Sequence, residues 1–148
     1  MKFFTREAQR MLRTRKGAGA WDEICDRYDQ HLRRIRPHLS KGWRQIAATN
    51  FHDTKIFSFL LLNDGGELLI NIDMNPRWKS TPLFICSLHF DGVIKADFPR
   101  NVLLEWLLNT EVHLTARHAG EWRVRLQRSE LRVQAADVGY FINHKPFA

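Results

Sequence analysis

The residue pair most suggestive of chemistry in this chain is His52-Asp53. Adjacent His and Asp side chains serve as two of several ligands in metal-dependent phosphohydrolases, where the bound metal turns water into a nucleophile at neutral pH. Those centres sit on helices and require a further upstream His and a downstream Asp. Here the pair opens a β-rich run, Phe51–Leu62, in which neighbouring side chains point to opposite faces. The pattern favours a structural role, with His52 or Asp53 bonding a helix-to-strand junction. A metal-dependent hydrolase around His52 and Asp53 is the remotest of the functional readings. Gly17-Ala18-Gly19 joins two expected helices and Gly65-Gly66 falls in an expected hairpin, so neither forms a phosphate loop. Cys-x-x-Cys, His-Glu-x-x-His and Gly-x-Ser-x-Gly are all missing from the sequence, which removes the strong zinc and hydrolase signatures. Cys86 is expected to face inward, a poor setting for a nucleophile. These residues predict a protein that is not an enzyme and holds no metal or cofactor.

Charge carries more information. The formal net charge of +7 divides into +7 over residues 1–50, −2 over 51–109 and +2 over 110–148. A basic N-terminal third implies an acidic partner, and its candidate contacts are Arg6, Arg10, Arg13, Arg33, Arg34 and Arg36. Trp78, between Arg77 and Lys79 in the loop from Asn75 to Pro82, has the surroundings of an interface anchor or a base-stacking residue. Alternation along the later strands places His89 and His113 on one polar face with Asn71, Asp73, Ser87, Glu111, Thr115, Arg123, Arg125, Arg132 and Gln134. Arg123 and Arg125 therefore join the binding candidates.

These groups need elements to position them. Phe4, Ala8, Met11 and Leu12 have helical spacing, with Thr5 as N-cap and Gly17 as stop, which predicts a basic amphipathic helix over 5–16. Trp21, Ile24, Cys25, Tyr28, Leu32 and Ile35 define a second helix over 20–36. Asp22, Glu23 and Asp26 would open it, and Arg33, Arg34 and Arg36 would close it before Pro37. A short helix from Ser40 would point Trp43 and Ile46 inward, and Trp21, Trp106 and Trp122 also fall on apolar faces. From Phe51 the period becomes two. Hairpins are expected at Asn63-Asp64-Gly65-Gly66 and at Asp91-Gly92, and a bulge or bend near Ala136-Asp137, where the apolar parity slips. Residues 99–109 fit either a short helix or a strand. The expected fold is α+β: two or three N-terminal helices packed on a largely antiparallel sheet of about six or seven strands. It forms a single domain over 1–148, with a basic helical part (1–48) and a β-meander (49–148).

Met1-Lys2-Phe3-Phe4-Thr5, Phe51-His52-Asp53 before Ile56-Phe57-Ser58, Asp64-Gly65-Gly66-Glu67-Leu68, Trp106-Leu107 to Glu111-Val112 and Leu131-Arg132-Val133 to Ala136-Asp137-Val138 together resemble a family of small uncharacterised bacterial proteins, a domain of unknown function. The resemblance covers most of the chain and implies no catalytic residues. Its architecture is similar to that of immunity proteins, which bind and silence a toxin.

A hydrophobic content of 44% and a charged content of 26% are those of a folded domain and exclude a disordered tail. Two cysteines, and no long apolar run after Met1, predict a reduced cytoplasmic protein without a membrane segment. The function expected is a non-enzymatic protein-binding module, an immunity-type inhibitor with an acidic protein target. Weak nucleic-acid binding through the Arg-rich helices is the alternative.

Overall fold

The computed structural model describes residues 1–14, 17–75, 84–116 and 118–144. Among these residues three helices, α1 (Arg6–Met11), α2 (Gly17–Ile35) and α3 (Lys41–Ala48), precede six strands: β1 (Thr54–Leu62), β2 (Glu67–Asp73), β3 (Phe84–Asp97), β4 (Trp106–Leu114), β5 (Gly120–Leu126) and β6 (Glu130–His144). The fold is α+β. All strand pairs are antiparallel, and the sheet closes into a barrel in the order β1-β2-β3-β6-β5-β4. It is thus not a simple meander, because β3 neighbours β6 while β4 lies beyond β5.

Inward alternation fills the barrel with Leu68, Ile70, Ile72, Cys86, Leu88, Phe90, Trp122, Val124, Leu131 and Val133, each fully buried. Helix α3 adds Trp43 and Ile46 to the same core, as the sequence predicts. Ser40 caps it by accepting from the Trp43 N–H. Gly120 makes room for the Trp43 ring, since a Cβ there would lie 2.0 Å from an indole carbon. A smaller cluster of Phe4, Ala8, Ile24 and Tyr28 packs α1 and α2 outside the barrel. Trp21 and Trp106 are only half-buried, and the Trp106 ring instead carries the Lys55 ammonium 4.4 Å from its centroid. Cys86 is buried and Cys25 half-buried, and both are free thiols.

The ends of elements differ from the sequence expectation in instructive ways. Thr5 caps α1, accepting from the Ala8 N–H, but α1 ends at Met11. Gly17 begins α2 rather than ending α1, and it lies so close to the end of α1 that a Cβ there would sit 1.7 Å from the Met11 carbonyl oxygen. Asp22, Glu23 and Asp26 consequently fall beyond the first turn of α2, which holds no acidic residue. The expected hairpin at Asp91-Gly92 does not form. β3 continues through it, paired with β6 from Phe84–His144 to Asp97–Arg132 with a register shift between Val93 and Lys95. The two strands instead bend together: buried parity slips from Phe90 to Val93 on β3 and from Ala135 to Val138 on β6. Gly92 adopts φ 59° at the bend, a conformation suited to glycine. Residues 99–109 hold both alternatives, a 3₁₀ turn at Val102–Leu104 and then β4. No helix is long and apolar enough to cross a membrane among the described residues.

Candidate functional site

Barrel closure is incomplete, and that incompleteness organises the charged residues. β1 meets β4 through only two pairs, Thr54–Leu107 and Lys55–Trp106. Past that point the β4 edge would expose backbone groups, and α2 supplies side chains in place of a strand. The Tyr28 hydroxyl accepts from the Val112 N–H at 2.7 Å. His31 Nε2 lies 3.2 Å from the Val112 carbonyl. A carbonyl only accepts, so Nε2 carries the proton, and Nδ1 is left to accept from Arg34 at 3.4 Å. Burial and the neighbouring His113 disfavour a charge on His31 and lower its pKa, in agreement with that neutral tautomer.

Beside it, Glu111 is fully buried. Its carboxylate accepts from the N–H groups of Lys2 (2.8 Å), Phe3 (2.7 Å) and Phe4 (2.8 Å) and from His113 Nε2 (2.8 Å). Burial alone would push this carboxyl up, but the His113 bond and the three backbone donors outweigh it and bring it down to about 2. Glu111 is the clamp that ties the N-terminal segment, and hence α1, onto β4. Sequence reasoning placed it on an open polar face; nothing local to Glu111-Val112-His113 signals that helices cover it.

So clamped, α1 lies along the β5–β6 turn. Glu105 shapes that turn by accepting from Arg128 N (2.6 Å), Ser129 N (3.2 Å) and Ser129 Oγ (2.8 Å). Between α1 and the turn runs a groove of about 390 Å³ lined by Arg6, Gln9, Arg10, Arg13, Arg125, Gln127 and Arg128. Arg6, Arg10, Arg13 and Arg128 are exposed, and Arg6 donates to the Arg128 carbonyl. Arg125 forms the floor at 3% exposure. Its Nη1 donates to Glu130 at 2.5 Å, while its buried Nε has no partner among the described residues. Five guanidinium groups thus converge without a carboxylate among the groove's lining residues. Guanidinium forks match carboxylates and phosphates bidentately, and that is the chemistry available here.

The sequence-predicted residues divide accordingly. Arg6, Arg10 and Arg13 meet in the groove with Arg125, joined by Arg128, which the sequence reading missed. Arg33, Arg34 and Arg36 do not belong to the same face: they lie at and just beyond the far end of α2, whose 19 residues span about 27 Å. Arg123 is paired with Glu121 at 2.8 Å, and Arg132 also contacts Glu121. Trp78 lies outside the described residues. His52 and Asp53 stand in the turn before β1 rather than in a strand, with Nδ1 and Oδ2 3.0 Å apart and both side chains exposed. Asp53 has φ 58°, and the His52 N–H bonds Asn50 Oδ1 at 2.9 Å, so it is the backbone of the pair, and not a bond from either side chain, that turns the chain between α3 and β1. No third potential ligand joins them among the described residues.

The broad polar face also breaks up. His113 is buried under the helices, whereas His89 sits on β3, 2.9 Å from Glu67 and 3.8 Å from Asp91. Glu67, His89 and Asp91 are the one set of donors among the described residues grouped closely enough to hold a metal ion.

No protein-family model matches the chain, and no curated protein matches it. Among solved structures, the crystal structure of an uncharacterized protein from Neisseria gonorrhoeae aligns with a TM-score of 0.44 at 8% identity, covering 62% of this chain and 92% of that one. A likeness of that size assigns no residue a role.

Proposed function

We propose that this chain is a non-enzymatic binding module that captures an acidic protein partner on the groove between α1 and the β5–β6 turn, in the manner of an immunity-type inhibitor. The observation that carries this reading is the convergence of Arg6, Arg10, Arg13 and Arg128 over the buried Arg125. Guanidinium groups so crowded repel one another, and an anionic surface relieves that repulsion on binding. Among the described residues no aromatic side chain lines the groove, and a platform for stacked bases would need one.

Nucleic-acid binding is the second reading, since phosphates suit the same guanidinium forks. Four exposed arginines set its scale: four phosphate contacts would weaken binding on the order of 10²-fold between about 50 and 200 mM salt. The test is fluorescence anisotropy with a labelled glutamate-rich peptide and with random single- and double-stranded DNA at both salt concentrations. The expected result is saturable peptide binding that weakens as salt rises but stays tighter than DNA binding at both salt concentrations and is lost in the Arg6→Gln/Arg10→Gln/Arg13→Gln variant, with DNA held only in the range of about 10⁻⁴–10⁻⁶ M. A nanomolar DNA complex at physiological salt that depends on the same arginines would reverse the order of the two readings.

A further inference from the structure

A second cationic site, separate from the groove, lies where α2 gives way to α3. Pro37, in the 3₁₀ turn Arg36–His38, ends α2. Leu39 is then buried in the main core, and α3 turns back from its Ser40 cap. Ser40 Oγ also donates to Asp137 on β6 at 2.5 Å, which fixes the corner to the barrel. The two helices leave a pocket of about 220 Å³ between them.

Its floor is apolar, made by Leu32, Leu39 and Ala47, with the exposed Ala48 at the mouth, and its rim is charged, with Arg33, Arg36 and Arg44 against one carboxylate, Asp29. Arg44 is held in place by the bond from its Nε to the Leu39 carbonyl at 2.8 Å. Arg33 and Arg36 make no ion pair or hydrogen bond through their side chains among the described residues, and both are exposed. An apolar cavity of about 150 Å³ accepts a benzene ring, so this pocket has room for a small hydrocarbon body, and the rim has a net positive charge for its head.

We infer that this pocket binds small amphipathic anions, a carboxylate on an aliphatic chain or ring, with the hydrocarbon on Leu32, Leu39 and Ala47 and the charge between Arg33 and Arg36. Neither half suffices by itself: exposed arginines hold a free anion weakly in water, and so small an apolar floor holds an uncharged chain weakly. The site is independent of the arginine groove and of whatever binds there.

The experiment compares three ligands with the intact chain by amide chemical-shift titration: octanoate, octan-1-ol with the same chain length and no charge, and acetate with the charge and no chain. Octanoate is expected to saturate with shifts confined to residues 29–48, at least tenfold tighter than octanol, with no saturation by acetate. Arg33→Gln/Arg36→Gln should weaken octanoate about tenfold, and Ala48→Phe, which fills the mouth from an exposed position, should abolish its binding. Both variants change exposed side chains, so an unchanged amide spectrum without ligand shows that each still folds. Octanoate binding no tighter than octanol or acetate, shifts centred on Arg6–Arg13, or full binding by both variants would each overturn the inference.

Discussion

Two clusters of charge lie on the same flank of the barrel and are treated in opposite ways. Around Glu111, the carboxylate is fully buried and accepts from three backbone N–H groups and from the buried His113. In the neighbouring groove, Arg10 and Arg13 are exposed and make no side-chain hydrogen bond or ion pair among the described residues, Arg10 having only the exposed Glu7 carboxylate as a nearby opposite charge. The first arrangement holds the second in place, because α1 is attached to the barrel through the segment that Glu111 clamps. Paired buried charge here does structural work, and unpaired exposed charge is what remains available to another molecule.

The contrast makes its largest prediction at Glu111. Glu111→Ala would strand three backbone N–H groups and His113, and is expected to cost about 3–5 kcal/mol, the range for breaking a buried pair from one side. Urea unfolding at neutral pH measures it. A loss under about 1 kcal/mol would mean that the N-terminal segment is held some other way.

Acid should act on the same clamp. The carboxyl falls from its ordinary 4.5 to about 2 in the folded chain. Its contribution, about 3 kcal/mol, is therefore complete above pH 4.5 and is lost as pH drops through about 2. His31, whose protonation folding disfavours, adds a loss that starts as pH falls below 6.5. Urea midpoints measured from pH 7 to pH 2 should show the lower window flattened in Glu111→Gln. An identical profile for both proteins would remove Glu111 from the explanation.

Tyr28→Phe leaves the Val112 N–H unmet at the β4 edge and should cost about 1–2 kcal/mol, with faster hydrogen exchange at Val112 as its local sign. On the groove side, Arg10→Gln/Arg13→Gln should leave stability within about 0.5 kcal/mol while weakening the glutamate-rich peptide at least tenfold. If that pair instead destabilised the fold, the division between structural and available charge would fail. The smallest effect belongs to His52→Ala: its partner is Asp53 and both are exposed, so thermal unfolding should register less than about 1 kcal/mol.

Much of the framework is readable in the chain. Thr5 and Ser40 occur where α1 and α3 begin because a hydroxyl at that position meets an otherwise unpaired helix N–H. The alternation of Leu68, Ile70 and Ile72 against Glu67, Asn71 and Asp73 identifies a strand with one buried face. The parity slip at Ala136-Asp137 correctly marks a bend. Asp91-Gly92 misled because its residues suit a hairpin turn locally. Along β3 the ladder with β6 continues on both sides of that dipeptide, and glycine at φ 59° accommodates a bend as readily as a reversal. Arg6, Arg10 and Arg13 were legible as a basic face. Arg128 was not, because only the pairing of β5 with β6 brings it opposite α1.

The sequence by itself determined the quantities that depend on neighbours along the chain: where helices begin, which strand faces are apolar, and that basic residues crowd the first third. Tertiary structure decided which of those charges were partnered. Glu111, His113 and Arg125 sit on outward strand positions that solvent would have claimed, and α1 and α2 cover them because β1 pairs with β4 over only two residues and leaves an edge to seal. Burial turned Glu111 into a clamp, and exposure left Arg6, Arg10, Arg13 and Arg128 open to solvent beside it. Both outcomes rest on contacts between residues a hundred or so positions apart, a separation at which local propensity carries no information.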